Sequence, residues 1–233
     1  MNKKIVVTGA TKGIGRATAE KFAKEGWDLA LCSRNEKDLD ELKSIINSKN
    51  QKILVQQCDV SDKEQLQKFA RQIRQVFGAA DVLVNNAGIF IPGKVINEKE
   101  GTLEKLMSVN LYSAYHLTRM LLPDMRKKKS GHIFNLCSVA SIKAYPNGGS
   151  YSITKFALLG LSKALREELK TYHIKVTSVI SGAAYTNSWK GTEHSKERFM
   201  KAEDVAQVIW DATQLSSSAV TEEIILRPIL GDI

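Results

Sequence analysis

Seven short runs of apolar and β-branched residues recur along the chain, at 5–8, 29–32, 53–57, 82–85, 132–137, 174–180 and 223–226. Between them, polar and apolar positions alternate at helical spacing near 14–25, 36–48, 62–77, 100–128, 150–171 and 202–214. Several of the short runs are apolar without a break, the pattern of a strand covered on both faces. Each crossover is long enough to hold a helix. The pattern therefore predicts an α/β fold, a doubly wound parallel sheet of seven strands with helices on both faces. No Gly/Ser/Pro-rich linker, repeat or low-complexity tract divides the chain, so residues 1–233 are expected to form a single domain.

Composition narrows the class. Hydrophobic residues make up 43% of the 233 and charged residues 25%, the profile of an ordinary globular protein. No apolar run approaches the ~20 residues that cross a bilayer. The stretch after Met1 is interrupted by polar Thr8 and by glycine before it could serve as a signal peptide, which points to a cytoplasmic location. Cys32, Cys58 and Cys137 lie far apart at the ends of apolar runs and read as buried reduced thiols. His116, His132, His173 and His194 show no ligand spacing, so no metal site is expected. The net charge of +9 raises nucleic acid as a partner. Its densest run, residues 126–129, sits where a helix end and turn would be solvated, which argues against that reading. A positive field suits a polyanionic small ligand instead.

The candidate chemistry lies at the carboxyl ends of the strands. "TGATKGIG" (8–15) places Gly9, Gly13 and Gly15 where the first strand turns into a helix, so backbone amides can approach a pyrophosphate. A glycine trio alone is also just a tight turn; its place after an N-terminal strand in an alternating β/α chain is what gives it meaning. "NNAG" (85–88), Ser138 at the end of "HIFNLCS", and the Ser-Gly of "VISGAAYT" fall on the same rim. "YSITK" (151–155) opens the helix after Ser138 and sets Tyr151 and Lys155 four positions apart, on one helix face. In a cleft, the Lys155 cation would favour the phenolate and lower the pKa of Tyr151.

The ordered set of TGxxxGxG, NNAG, a serine after the fifth strand and Y-x-x-x-K thirteen residues later resembles the short-chain dehydrogenase/reductase family, over essentially the whole chain. The resemblance implies a Rossmann-type fold and assigns roles. Tyr151 would be the proton donor, Lys155 its pKa-lowering partner and a ligand of the nicotinamide ribose, and Ser138 the group holding the substrate carbonyl. Asn110, in "SVNLYSAY", would support a water-linked proton relay to Lys155. Gly9, Thr11, Lys12, Gly13, Ile14, Gly15, Ser33, Arg34, Asp59, Val60, Asn86, Ala87, Gly88, Gly182 and Thr186 would join Tyr151 and Lys155 around the cofactor. The family usually has Pro-Gly after strand six; this chain has Ser181 and Gly182, a change expected to loosen that turn.

Folds of this type that bind NAD place an acid roughly 20 residues past the glycine turn to hold both ribose hydroxyls. Here the second strand ends "LALCSRN", with Ser33 and Arg34 at that point. A carboxylate would repel a 2′-phosphate, whereas a serine beside a guanidinium would accept one, and Lys12 adds a second cation, so the expected cofactor is NADP(H). The implied reaction is reduction of a carbonyl to a secondary alcohol. The spacing from Asn110 to Lys155 resembles that of bacterial 3-oxoacyl carrier-protein reductases, which suggests a 3-oxoacyl thioester, carrier-bound or free. Other ketones, sugars and pterin-like carbonyls stay open. A nucleotide-sensing regulator without catalysis would be expected to lack Tyr151 or Lys155. A short substrate lid is expected at about 183–200, in which Tyr185, Trp189 and Phe199 serve either as pocket walls or as packing. The helices at 100–128 and 150–171 carry apolar residues on more than one face, among them Leu111, Tyr112, Tyr115 and Leu122, and Phe156, Leu158, Leu159 and Leu161. They resemble the helices this family buries between subunits, which implies a homodimer or homotetramer.

Overall fold

The computed structural model describes residues 2–47, 50–186, 191 and 193–233. Among these, seven strands form one parallel sheet: β1 (Lys4–Thr8), β2 (Asp28–Ser33), β3 (Ile53–Gln57), β4 (Val82–Asn85), β5 (Gly131–Ser138), β6 (Ile174–Ser181) and β7 (Glu223–Leu226). Their spatial order is β3-β2-β1-β4-β5-β6-β7. The chain leaves β1 in one direction along the sheet and β4 in the other, so the crevice between their carboxyl ends is the topological switch point where open α/β sheets bind ligands.

The helices between the strands are α1 (Gly13–Lys24), α2 (Glu36–Ile46), α3 (Lys63–Phe77), α4 (Thr102–Met107), α5 (Ser113–Lys128), α6 (Gly149–Leu169) and α7 (Ala202–Thr213). Alternation along β1 shows how they sandwich the sheet. Ile5 and Val7 point into a core shared with Phe22 of α1, Leu39 of α2 and Ile209 of α7. Val6 points the opposite way, into a core shared with Phe69 of α3, Leu121 of α5 and Leu165 of α6. All three β1 side chains are essentially without solvent contact, which is why the strand carries no polar alternation.

The single helix expected over 100–128 is two helices joined by a π turn, Ser108–Tyr112. Wider π turns inside α-helices frequently mark functional sites, and buried Asn110 sits in this one. Hydrophobic periodicity does not register it, because one wide turn is much shorter than the window over which a helical repeat is read. No helix among the described residues is long and apolar enough to cross a membrane.

Candidate active site

On the β1 side of the switch point, the loop is built by close approach. Gly9 (φ +64°) and Gly13 (φ +52°) adopt left-handed backbone that other residues resist. A Cβ on Gly15 would lie 2.3 Å from Gly9 O and 2.4 Å from Asn86 Nδ2. Asn86 in turn donates from Nδ2 to Thr8 O (2.8 Å) and Gly9 O (3.1 Å). The Thr8 hydroxyl accepts from the amides of Asn86 (3.1 Å) and Ala87 (3.0 Å), locking the NNAG turn to the glycine turn. Thr11 and Ser33 share a hydroxyl–hydroxyl bond of 2.9 Å.

Gly9, Thr11, Gly13, Ser33, Asn86 and Ala87 line a cavity of about 450 Å³ that runs from Arg34, Asp59 and Val60 to Gly88 and Thr186. Ser33 stands where an acid would exclude a 2′-phosphate. The Arg34 guanidinium is exposed and makes no ion pair among the described residues, its main-chain oxygen accepting from Gln57. Lys12 differs from expectation: its ammonium already pairs with Asp38 at 3.1 Å, so a phosphate there would have to share it. Asp59 faces inward on its own loop, accepting from Ser61 N (2.9 Å) and Ser61 Oγ (2.7 Å).

The second cavity, of about 330 Å³, opens beside the first and shares Ile14, Asn86, Gly88 and Thr186 with it. Ser138, Tyr151 and Lys155 line it, along with Phe90, Val139 and Tyr145. Ser138 closes β5 and caps the turn that follows, its hydroxyl accepting from Ala140 N at 3.1 Å. The hydroxyl's own proton is not used there and is turned to Tyr151. Phe90 meets the Tyr151 ring edge-on, with centroids 5.0 Å apart. The first turn of α6 is held from outside: Glu98 accepts from Ser150 N (2.9 Å) and from the Ser150 hydroxyl.

Lys155 is buried, and its ammonium donates to Leu136 O at 2.7 Å. It lies 5.7 Å from the centroid of the Tyr151 ring. The expected acidification of Tyr151 by Lys155 is absent from this arrangement. Burial pushes the Tyr151 phenol up, the Ser138 hydroxyl pulls it the other way, and Cys137 adds to the rise. Burial also pushes Lys155 down, partly offset by Cys137. Both groups are held toward their neutral forms, since neither faces a full opposite charge.

Asn110 links the two halves. Its Oδ1 accepts from Ile89 N (2.8 Å), and its Nδ2 donates to Ile89 O (3.0 Å) and Thr154 Oγ1 (3.1 Å). A Cβ on Gly88 would lie 3.4 Å from Asn110 Oδ1 and 3.7 Å from Lys155 Nζ, so the three meet at one point. Both Nδ2 protons are used there, and Oδ1 keeps one further acceptor position. Beneath lies a buried polar chain: Asn85 Nδ2 donates to Asn135 Oδ1 (2.8 Å) and Thr118 Oγ1 (3.1 Å), and Asn135 Nδ2 donates to Ser162 Oγ (2.8 Å).

The turn after β6, where the family's proline is missing, is held by hydrogen bonds. Ser181 stays in the sheet, paired with Ser138 and Leu226, and its hydroxyl donates to Gly182 O at 2.9 Å. Gly182 N donates to Leu226 O at 2.8 Å. In the lid region, Tyr185 and Phe199 pack against each other, ring centroids 5.5 Å apart, and neither lines the cavity that holds Tyr151. Trp189 lies outside the described residues.

Residues 3–197 match the short chain dehydrogenase family. The chain belongs to that family. A sepiapterin reductase of Chlorobaculum tepidum is 34% identical over 98% of this chain and 97% of its own length. A 3-oxoacyl-[acyl-carrier-protein] reductase of Thermotoga maritima is 33% identical over 96% and 95%. Among solved short-chain dehydrogenase folds, an alcohol dehydrogenase of Thermococcus sibiricus complexed with 5-hydroxy-NADP superposes with a TM-score of 0.91 at 26% identity, covering 97% of both chains. Cys137 in the cavity wall, and Thr8 and Glu98, which brace the loops behind it, carry no assigned role from the sequence. Thr8 was within reach as part of the glycine motif; Glu98, 52 positions from Ser150, carries no local signal.

Proposed function

We propose that this short-chain dehydrogenase is an NADPH-dependent cytoplasmic reductase that converts a ketone to a secondary alcohol. The carrying observation is the continuity of the two cavities: a glycine-built groove ending at Arg34 opens directly onto Ser138, Tyr151 and Lys155. The residues fit the cofactor. Gly9, Thr11, Gly13, Ile14 and Gly15 leave room for backbone approach to the pyrophosphate, and Ser33, Arg34 and Lys12 suit the 2′-phosphate. Asp59 and Val60 lie on the adenine side; Asn86, Ala87, Gly88, Gly182, Thr186, Tyr151 and Lys155 lie on the nicotinamide side. When bound, NADPH supplies the hydride.

The chain's own part is proton delivery and orientation. Ser138 turns its hydroxyl proton from Tyr151 to the substrate carbonyl and holds the carbonyl beside the phenol. A phenol pushed above its ordinary value of about 10 is protonated at neutral pH, the form that reduction requires. Lys155 then stabilises the phenolate left by the transfer, which restates its role: it lowers the cost of the product state. Asn110 supports a water-linked relay to Lys155 through the loop and π turn that it fixes.

A short 3-oxoacyl thioester is the substrate class we favour, supported by the likeness to the T. maritima reductase. A pterin-like carbonyl is the second reading, supported by the aromatic Phe90 and Tyr145 walls and by the likeness to the C. tepidum enzyme. Acetoacetyl-CoA and sepiapterin, each assayed by NADPH consumption and again with NADH, separate these readings. No turnover of any carbonyl with either nucleotide would overturn the reductase assignment.

We read residues 1–233 as one catalytic unit with a short lid near 183–200. We also propose that it self-associates through α5 and α6, on exposed Tyr112, Tyr115, Ile153 and Phe156. Leu158 and Leu159 are not part of that face, since they pack inside against Ile180 and Cys137. Light scattering should return a multiple of the chain mass; a monomer at micromolar concentration would refute it.

A further inference from the structure

The segment after β7 turns back over the carboxyl edge of the sheet. Gly182 N holds Leu226 O, and Pro228 Cδ lies 3.0 Å from where a Cβ on Gly182 would stand. Gly231, at φ +84°, closes a turn by donating to Pro228 O at 2.8 Å. This brings Asp232 and Ile233 into the wall of the cavity that holds Ser138 and Tyr151.

Apolar burial does not keep the segment there. Ile229 is 99% exposed and Leu230 76% exposed, so little hydrophobic free energy anchors it. One guanidinium does most of the anchoring. Arg198, in the turn before α7, donates from Nη1 to Gly231 O (3.0 Å) and from Nη2 to Asp232 O (2.9 Å) and, more loosely, Leu230 O (3.4 Å). Asp232 is further fixed by an ion pair with Arg227 at 3.2 Å. Hydrogen bonds to a charged donor are among the stronger ones, and here several converge on one short stretch of main chain.

We propose that residues 230–233, clamped by Arg198, form the wall that limits the size of the ketone this site accepts, with Ile233 as a specificity-determining residue and Arg198 as a positioning residue. The inference rests on the reductase reading above and deepens it: the cavity, near the small end of ligand pockets, takes a compact ketone because the wall is pinned. Release of the clamp enlarges the cavity without touching the glycine-built groove.

The test uses the full chain with NADPH and two probe ketones, ethyl acetoacetate and the bulkier ethyl benzoylacetate. Wild type should prefer the smaller ester by kcat/KM. Arg198→Ala should shift the ratio at least tenfold toward the bulkier one, mainly through KM, with NADPH affinity by fluorescence titration within twofold of wild type. Arg198→Lys, which keeps a cationic donor, should recover part of the shift. Should Arg198→Ala fail to fold, Ile233→Ala should move the ratio in the same direction. An unchanged ratio in a folded variant overturns the wall. If wild type turns over neither ester, amide hydrogen exchange over 229–233 decides: exchange should quicken at least tenfold in Arg198→Ala, and unaltered exchange overturns the clamp. Inactivity across all carbonyls counts separately, against the reductase reading.

Discussion

The rim of the sheet is built in two ways. On the β1–β2 side, function rests on what is missing: three glycines and a serine clear space, and main chain lies where any side chain would intrude. On the β4–β6 side it rests on what is present: a phenol, an ammonium and a hydroxyl, each fixed by named hydrogen bonds. The first side tolerates almost no added atoms and depends on a functional group mainly at its outer end, where Arg34 stands. The second depends on single protons. Binding and chemistry should therefore fail separately, and each of the following changes tests that separation.

The largest effect is expected at Tyr151. Tyr151→Phe keeps the ring against Phe90 and removes the proton, so kcat should fall roughly 10²- to 10⁴-fold while NADPH affinity is retained. Substantial residual turnover would mean that another group supplies the proton. Its alkaline limb carries a second signature. Because burial depresses Lys155 while it raises Tyr151, turnover should decline below the ordinary lysine value of about 10.4, as the ammonium is lost first. A limb that moves with Tyr151 alone would contradict this order.

On the other side, Arg34→Asp should weaken NADPH binding by roughly 10- to 100-fold, the worth of a charge-assisted contact, and leave NADH binding much less affected. Equal affinity for NADPH before and after the change would remove Arg34 from the site. Gly15→Ala presses a methyl against Gly9 O and Asn86 Nδ2, and should destabilise the fold by about 1–3 kcal/mol as well as weaken both nucleotides. Thermal denaturation reads the first effect and fluorescence titration the second; a neutral outcome in both would mean the loop yields easily.

The effect furthest from the chemistry, small at mildly acidic pH, lies at the far end of β5, away from both sides. His132 is buried beside Thr177, whose hydroxyl donates to Thr221 O, so the imidazole Nε2 carries the hydrogen and donates to Thr177 Oγ1 at 2.7 Å. Burial, with the Lys175 charge, pushes the ring down to about 3. The unfolded chain, near 6.5, then binds the extra proton over the interval between the two values. Stability is complete above about pH 6.5 and is lost as pH falls toward 3, by at most ~1.4 kcal/mol per pH unit. Melting temperature followed from neutral to mildly acidic pH should show this slope, and His132→Asn should flatten it.

How much of this was legible in the sequence follows the same division. Glycine spacing and the Tyr151–Lys155 interval are set locally, by a turn and by a helical repeat, so the motif positions and the strand segments could be read directly, whereas the order of the strands in the sheet could not. Contacts made between distant segments could not. Glu98 on Ser150 and Arg198 on the segment at 230–232 join loops whose composition has no period, and their effect exists only once the sheet has brought them together. The π turn at Asn110 lies between these cases: the residue was found through its motif, the backbone irregularity that seats it was not. The electrostatics of Tyr151 and Lys155 also eluded the sequence. Four residues of helix fix their spacing, but the depth of burial that decides which protonation state is favoured comes from β5, α6 and the loop carrying Phe90.

The amide chain beneath the site limits how this protein can change. Asn85, Asn135, Thr118 and Ser162 come from two strands and two helices and bond one another in the interior, leaving Asn85 Oδ1 without a partner among the described residues. Replacing any one of them by an apolar residue strands a neighbour's donor or acceptor, at about 1–3 kcal/mol each, whereas replacing matched partners together is far less costly. Stepwise drift at these positions is therefore blocked even though none of them touches a ligand. A lineage, or a designer, wishing to rebuild the floor must move several residues in one stroke.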